Sequence, residues 1–164
     1  SLLEDGMDTL FIAMLLNSNE EAVGKLLKHP RSNITLSDAG AHLTFFNDAG
    51  YGLYMLQKWV RENKLMSKEE AIYNLTGKQA DIYRLDQRGR LVPGQYADMM
   101  LLDFNEVGVS KTYRVNDLPG GSSRLNIDGS GIHNVWINGE EVFKNNSHIN
   151  VNNLPGNVIR GFHA

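Results

Sequence analysis

The chain has 164 residues, 41% of them hydrophobic, with 16 basic and 19 acidic side chains and a formal net charge of −3. That balance, with both signs interspersed, gives no support for nucleic acid or an anionic membrane surface as a partner. Cysteine is absent, which excludes disulfide scaffolds, zinc ribbons and cysteine nucleophiles and is compatible with a reducing, cytoplasmic setting.

A soluble globular body of this length would bury about 70% of its unfolded-chain surface, and one domain, or one and a piece, is the expectation. The first nine residues carry acids and no basic stretch, so no signal peptide is expected. The chain opens on Ser1 rather than methionine, as a processed, tagged or excised piece would. Leu10 to Leu16 is the longest apolar run, far short of the roughly 20 residues of a membrane span. Apolar at every position, it predicts a strand covered on both faces, with a short buried helix as the alternative.

Asn17-Ser18-Asn19 supplies N-cap candidates, and Glu20 and Glu21 suit a first helical turn. Val23, Leu26 and Leu27 follow at helical spacing, and Pro30 ends the helix. Ile34 to Leu36 predicts a second strand. The β-α-β order implies parallel strands joined by a right-handed crossover. This strand stops at Ser37-Asp38 and turns through Ala39-Gly40-Ala41, and His42 follows four residues after the acid. An acid at the C-terminal tip of a buried parallel strand is where α/β enzymes keep their chemistry. Asp38 is therefore a candidate catalytic group; the alternative is an ordinary strand-end acid capping the turn.

Leu53, Leu56, Trp59 and Val60 mark a second amphipathic helix. Ser67-Lys68-Glu69-Glu70 is a capping box opening a third helix through Ala71, Ile72 and Leu75. A short fourth helix is expected over Gln79 to Tyr83, with Gly77 as the break. Trp59 and Trp136 read as core.

From Gly89 the character changes. Arg90 to Gly94 reads as an extended piece and a turn, and Met99 to Phe104 as an apolar strand. Residues 116 to 134 are rich in Gly, Ser, Asn and Asp and predict a long loop. Val135-Trp136-Ile137 and Glu141-Val142-Phe143 flank Asn138-Gly139, a strong type I′ hairpin signal. The chain thus divides into α/β up to residue 85 and β-rich from 86 to 164. Two parallel strands are too few for an independent sheet, so residues 1–85 read as the end of something larger.

Four segments carry a resemblance. Leu36 to Leu43, Asp86 to Asp103, Asp117 to Gly121 and Gly131 to Gly139 resemble, in order and spacing, the amidohydrolase superfamily, and most closely its D-aminoacylase branch of N-acyl-D-amino-acid deacylases. The resemblance implies the last strands and helices of a (β/α)₈ barrel, followed by the C-terminal part of a small β-sandwich domain. It also implies a zinc-dependent hydrolase acting on the amide of an N-acyl amino acid, a small-molecule partner. Asp38 matches the aspartate after barrel strand eight, which in the family handles the proton of the metal-bound water and contacts the metal. Such a metal lowers the pKa of its water to about 7.

The departure is equally plain. A whole barrel needs roughly 250 residues. The five histidines stand at 29, 42, 133, 148 and 163, none in a metal-pair spacing. The chain is accordingly expected to be a C-terminal fragment that binds no zinc alone and is inactive alone. It would either need its missing N-terminal part or persist as a non-catalytic homo-oligomer. For His42 two roles stand side by side: orienting Asp38 or touching substrate, or a loop histidine bonded to backbone. For Arg124 they are pairing a substrate carboxylate or serving as a surface arginine.

Overall fold

A computed structural model of the chain describes residues 3–6, 16–149 and 154–160. The chain divides into two compact units, Ser1–Ser32 and Asn33–Ala164. In the first, α1 spans Glu20–Lys28, and the Asn19 side chain caps it by accepting from the Ala22 N–H at 3.0 Å. Glu20 and Glu21 lie in its first turn and Lys25 and Lys28 in its last, the arrangement that complements the helix dipole. The strand expected over Leu10 to Leu16 lies outside the described residues except for Leu16, which is exposed.

The second unit opens with the segment expected to be a parallel strand. Ile34 to Leu36 joins no ladder, and every ladder among the described residues is antiparallel. Ile34 and Leu36, with Thr35 between them, meet no strand edge here. Their carbonyls instead accept from side chains: Gln79 Nε2 donates to the Ile34 carbonyl at 3.3 Å and the Tyr51 hydroxyl to that of Thr35 at 3.5 Å.

Helix α2 (Tyr51–Tyr54) continues as a π-helix over Met55–Glu62. Its end shows the wide turn directly, since Asn63 N–H donates to the Lys58 carbonyl at 2.9 Å. Met55, Leu56, Trp59 and Val60 bury along this one face. With Met66, Ala71, Ala80 and Val107 they form the buried core of the described residues. Helix α3 (Lys68–Leu75) starts at Ser67, whose hydroxyl accepts from Glu70 N–H at 3.0 Å, and α4 spans Gly77–Tyr83.

Among the described residues the strands all follow residue 98. They are β1 (Met99–Leu102), β2 (Gly108–Val109), β3 (Tyr113–Val115), β4 (Arg124–Asn126), β5 (Gly129–Ser130), β6 (Ile132–Ile137), β7 (Glu140–Lys144) and β8 (Ser147–His148). The order β1-β6-β7-β8 makes a four-stranded sheet, while β2 pairs β5 and β3 pairs β4. The β6–β7 turn takes the expected form: Asn138 and Gly139 both have positive φ, 50° and 85°, as a type I′ turn requires. Asn138 N–H donates to Asp98 Oδ1 at 2.8 Å, which docks the turn on the segment before β1.

The loop expected over 116–134 holds β4, β5 and the start of β6. Turn-rich composition concealed them because their ladder partners, β3 and β2, lie elsewhere in the sequence. Trp59 is core as expected, 9% exposed, whereas Trp136, on β6, is only half-buried. The helical and β parts of this unit meet at residues 104–109. Arg61 donates from Nη1 to the carbonyls of Phe104 and Val107 at 3.1 and 2.6 Å, and Val109 N–H donates to Gln57 Oε1 at 3.0 Å.

Candidate functional site

Asp38 sits at the start of a loop that runs to Asp48. Its backbone is left-handed, φ 55°, as is that of His42, also 55°. Non-glycine residues seldom adopt this conformation, Asp, Asn and His more readily than most. Two consecutive turns follow from it. Ala41 N–H donates to the Asp38 carbonyl at 3.3 Å, and Phe45 and Phe46 N–H donate to the His42 carbonyl at 2.9 and 3.0 Å. The His42 ring stacks on Phe45, centroids 5.0 Å apart, and makes no hydrogen bond to Asp38. Both Asp38 and His42 are exposed.

The loop is held by the backbone of β4. Leu125 N–H donates to the Leu43 carbonyl at 2.8 Å, and Asn47 Nδ2 donates to the Leu125 carbonyl at 3.1 Å. The same Asn47 accepts from Ala49 N–H at 3.0 Å. This brings Asp48 to Asp38. Asp48 is exposed as a residue, yet packing around its carboxyl raises its pKa above the ordinary value, and the charge of Asp38 raises it further.

Arg124 stands beside this loop, on the strand that anchors it, with its fork already filled. Nε and Nη2 donate to the two carboxylate oxygens of Asp117, each at 2.7 Å, and Nη1 donates to Asn126 Oδ1 at 3.1 Å. The bidentate bond holds the Asp117 carboxyl below the usual carboxylate range and raises the guanidinium. The pair closes the base of the loop 117–124. Sequence reasoning missed two residues here: Asn47 and Asp48. Asn47-Asp48 reads only as turn chemistry.

Among the described residues no group of three or more His, Cys, Asp or Glu converges to hold a metal ion. A structural or catalytic zinc takes three or four protein ligands. Asp38 with Asp48 beside it does not supply them, and the described residues do not by themselves fit a zinc site. No helix of the described residues is long and apolar enough to cross a membrane.

The Asp38 loop is held by hydrogen bonds to β4, and comparison with known proteins gives the family of the chain. Residues 8–143 match the amidohydrolase family, and the chain belongs to it. It is 37% identical over 89 residues to the N-acyl-D-aspartate deacylase of Alcaligenes xylosoxydans xylosoxydans, covering 54% of this chain and 16% of that protein. To the N-acyl-D-glutamate deacylase of the same organism it is 30% identical over 106 residues, covering 65% and 19%. Both lie in the branch that the four sequence segments resemble. The chain spans less than a fifth of the length of these relatives.

Two solved structures are also similar. One is a D-aminoacylase, 27% identical, with 60% of this chain and 18% of that one covered and a TM-score of 0.44. The other is the N-acyl-D-glutamate deacylase from Bordetella bronchiseptica, solved with zinc and a phosphonate mimic of the tetrahedral intermediate. It is 29% identical, with 57% and 18% covered and a TM-score of 0.42.

Proposed function

We infer that this chain is the C-terminal part of a zinc-dependent amidohydrolase that hydrolyses N-acyl-D-amino acids or similar acylated amines, and that it is inactive by itself. The observation that carries the reading is the family match over residues 8–143, a span that contains Asp38. In this reading residues 1–85 are the closing elements of a barrel and residues 86–164 belong to a small β-sandwich domain, in a cytoplasmic protein. Zinc would be held by ligands beyond the described residues, with Asp38 reaching it. Asp38 acts as general acid and base: its carboxylate takes a proton during hydrolysis and returns it to the leaving amine. His42 lines the same loop, where its stacking on Phe45 fixes the ring.

The test is a chimera. Residues 8–143 replace the matching segment of the N-acyl-D-aspartate deacylase, and turnover of N-acetyl-D-aspartate is measured with zinc. Activity in the chimera, its loss by at least about a hundredfold in Asp38→Asn, and none in the isolated chain are the expected results. A folded, zinc-loaded but inert chimera would overturn the catalytic reading. Turnover by the 164-residue chain alone would overturn its inactivity.

A second reading has its own observation. Met100 and Leu101 are 47% and 52% exposed on β1, which ends the four-stranded sheet with an unpaired outer edge among the described residues. Such an edge invites pairing with another chain, as a self-associating unit would use it. Sedimentation velocity separates the two: a clean monomer at high concentration counts against self-association.

A further inference from the structure

Asn138-Gly139 is the single Asn-Gly pair of the chain, and it closes the β6–β7 hairpin with both residues at positive φ. The turn is tied at both backbone nitrogens and at both ends of the side-chain amide. Asn138 N–H donates to Asp98 Oδ1 at 2.8 Å, and Gly139 N–H donates to the Ala97 carbonyl at 2.9 Å. The Asn138 Oδ1 accepts from Arg88 Nη2 at 3.2 Å, and its Nδ2 donates to the Pro155 carbonyl. Arg88 is fixed in its turn, with Nη1 on Asp98 Oδ2 and the guanidinium 4.3 Å from the centre of the Tyr96 ring. A type I′ turn needs only the two positive φ values, so the side-chain bonds are an addition to what the hairpin requires.

The same dipeptide carries a reaction of its own, one reason that asparagine is heat-labile. The Gly139 nitrogen attacks Cγ of Asn138. The Cγ–Nδ2 bond breaks, and ammonia leaves with the proton that the Gly139 nitrogen gives up. Water then opens the five-membered imide at either carbonyl, to aspartate or isoaspartate. Glycine at the second position leaves the attacking nitrogen unshielded by a Cβ. Ring closure needs nitrogen and Cγ at the roughly 3–3.5 Å of a near-attack arrangement, reached by turning ψ and χ1 of Asn138. The bond to Ala97 holds that ψ and occupies the N–H that must lose its proton. The bonds to Arg88 and Pro155 hold the side chain.

We propose that Asn138 is a latent deamidation site, kept unreacted by Ala97, Arg88 and the C-terminal segment at Pro155, and that its conversion releases residues 154–160. The Nδ2 is a donor, whereas a carboxylate in its place only accepts. Facing the Pro155 carbonyl it leaves two acceptors with no hydrogen between them. The new charge also falls beside Asp98, so Arg88 has two carboxylates to serve. Isoaspartate in addition lengthens the backbone of a two-residue turn that sets the strand register. Leu154 and Val158 are 85% and 76% exposed, so apolar burial does little to hold the segment once its bond to Asn138 is gone. No product restores the lost donor, and the step runs one way.

The test follows mass gain at Asn138, located by tandem mass spectrometry, in the folded whole chain in mildly alkaline buffer and in the free peptide of residues 137–140. Asn138 is expected to react at least about tenfold more slowly in the chain, because the turn must open first, and to reach the peptide rate in urea. Arg88→Lys keeps a charge for Asp98 but lacks the second nitrogen that holds Oδ1. Asn138 should then react about two- to tenfold faster, the weight of one hydrogen bond. Asn146, exposed in the β7–β8 turn and followed by Ser147, should keep its rate. Asn138→Asp reproduces one product, and backbone amide relaxation measured by NMR should show residues 156–159 gaining mobility.

Equal rates in the folded chain and the peptide overturn the proposal. So does an Arg88→Lys chain in which Asn138 is no faster, or in which Asn146 speeds up alike, the mark of general loosening. Unchanged order over residues 156–159 in Asn138→Asp overturns the release. Should Arg88→Lys fail to fold, the peptide comparison and the Asn138→Asp relaxation still decide. None of these outcomes bears on the deacylase reading, which stands or falls by its own chimera.

Discussion

The π-helical face and the Asp38 loop are built from similar apolar content and end in opposite states. Leu56 is 2% exposed and Leu36 is 82% exposed. The π-helix presents Met55, Leu56, Trp59 and Val60 to one side and packs against α3. The residues around Asp38 have no such cover, and their backbone is tied down by hydrogen bonds from Gln79, Tyr51 and β4. Stability in this chain therefore lives in one layer and the candidate chemistry in another, joined through polar contacts. A loop carrying reactive groups on a separate rigid body is the usual division of labour.

The largest expected effect tests that division directly. Leu56→Ala should cost about 2–5 kcal/mol, the range for emptying a packed site, read as a shift in urea midpoint. Leu36→Ala should stay within about 0.5 kcal/mol, as exposed substitutions do. Comparable losses at both positions would break the comparison, because they would mean that Leu36 is covered in solution.

Gly131→Ala asks whether the β region shares one cooperative unit with the helical core. Gly131 has φ 71°, and a Cβ there would lie 2.4 Å from the nitrogen and 2.6 Å from the Cα of Val107, both backbone atoms. Val107 is itself fully buried. A left-handed alanine and an overpacked backbone contact together should cost about 2–4 kcal/mol. Trp59 fluorescence and far-ultraviolet circular dichroism should shift to the same new midpoint. Separate transitions would show two independent units. Ser67→Ala, which removes the hydroxyl accepting from Glu70, should cost about 1 kcal/mol and leave the Asp38 loop unchanged by NMR.

The helices were legible because their signals are local. Asn19 and Ser67 cap where the sequence places caps, and the spacing of Leu56, Trp59 and Val60 marks the buried face, although nothing in it distinguishes a π-helix from an α-helix. The Asn138-Gly139 turn was legible for the same reason. What failed was pairing. Whether Ile34 to Leu36 is a strand depends on a neighbour, and whether Arg124 to Asn126 is one depends on Tyr113 to Val115. Neither fact is written within the segment itself. At the site, motif resemblance singled out Asp38 and Arg124, but that Asp117 already fills the Arg124 fork is a property of three-dimensional pairing and invisible in the chain. Asp48 was missed because its proximity to Asp38 comes from the fold of the loop.

That proximity gives the smallest and most local prediction. Burial first, and the charge of Asp38 second, raise the pKa of Asp48. The folded chain thus holds the Asp48 proton to higher pH than the unfolded chain does. The stability this group contributes is fully present below the ordinary aspartate pKa and is lost as pH rises through the raised folded value. Asp38→Asn removes only the lesser cause. The Asp48 titration midpoint, followed by carboxyl NMR, should fall toward the ordinary value without reaching it, since burial remains. Stability near neutral pH should rise by less than about 0.5 kcal/mol, the scale of an exposed site. The two acids repel across a loop clamped at Leu43 and Asn47, and neutralising one should relieve the other. A midpoint that does not move would mean the two carboxylates do not face each other in solution, and the Asp38 loop would then be looser than its bonds to β4 imply.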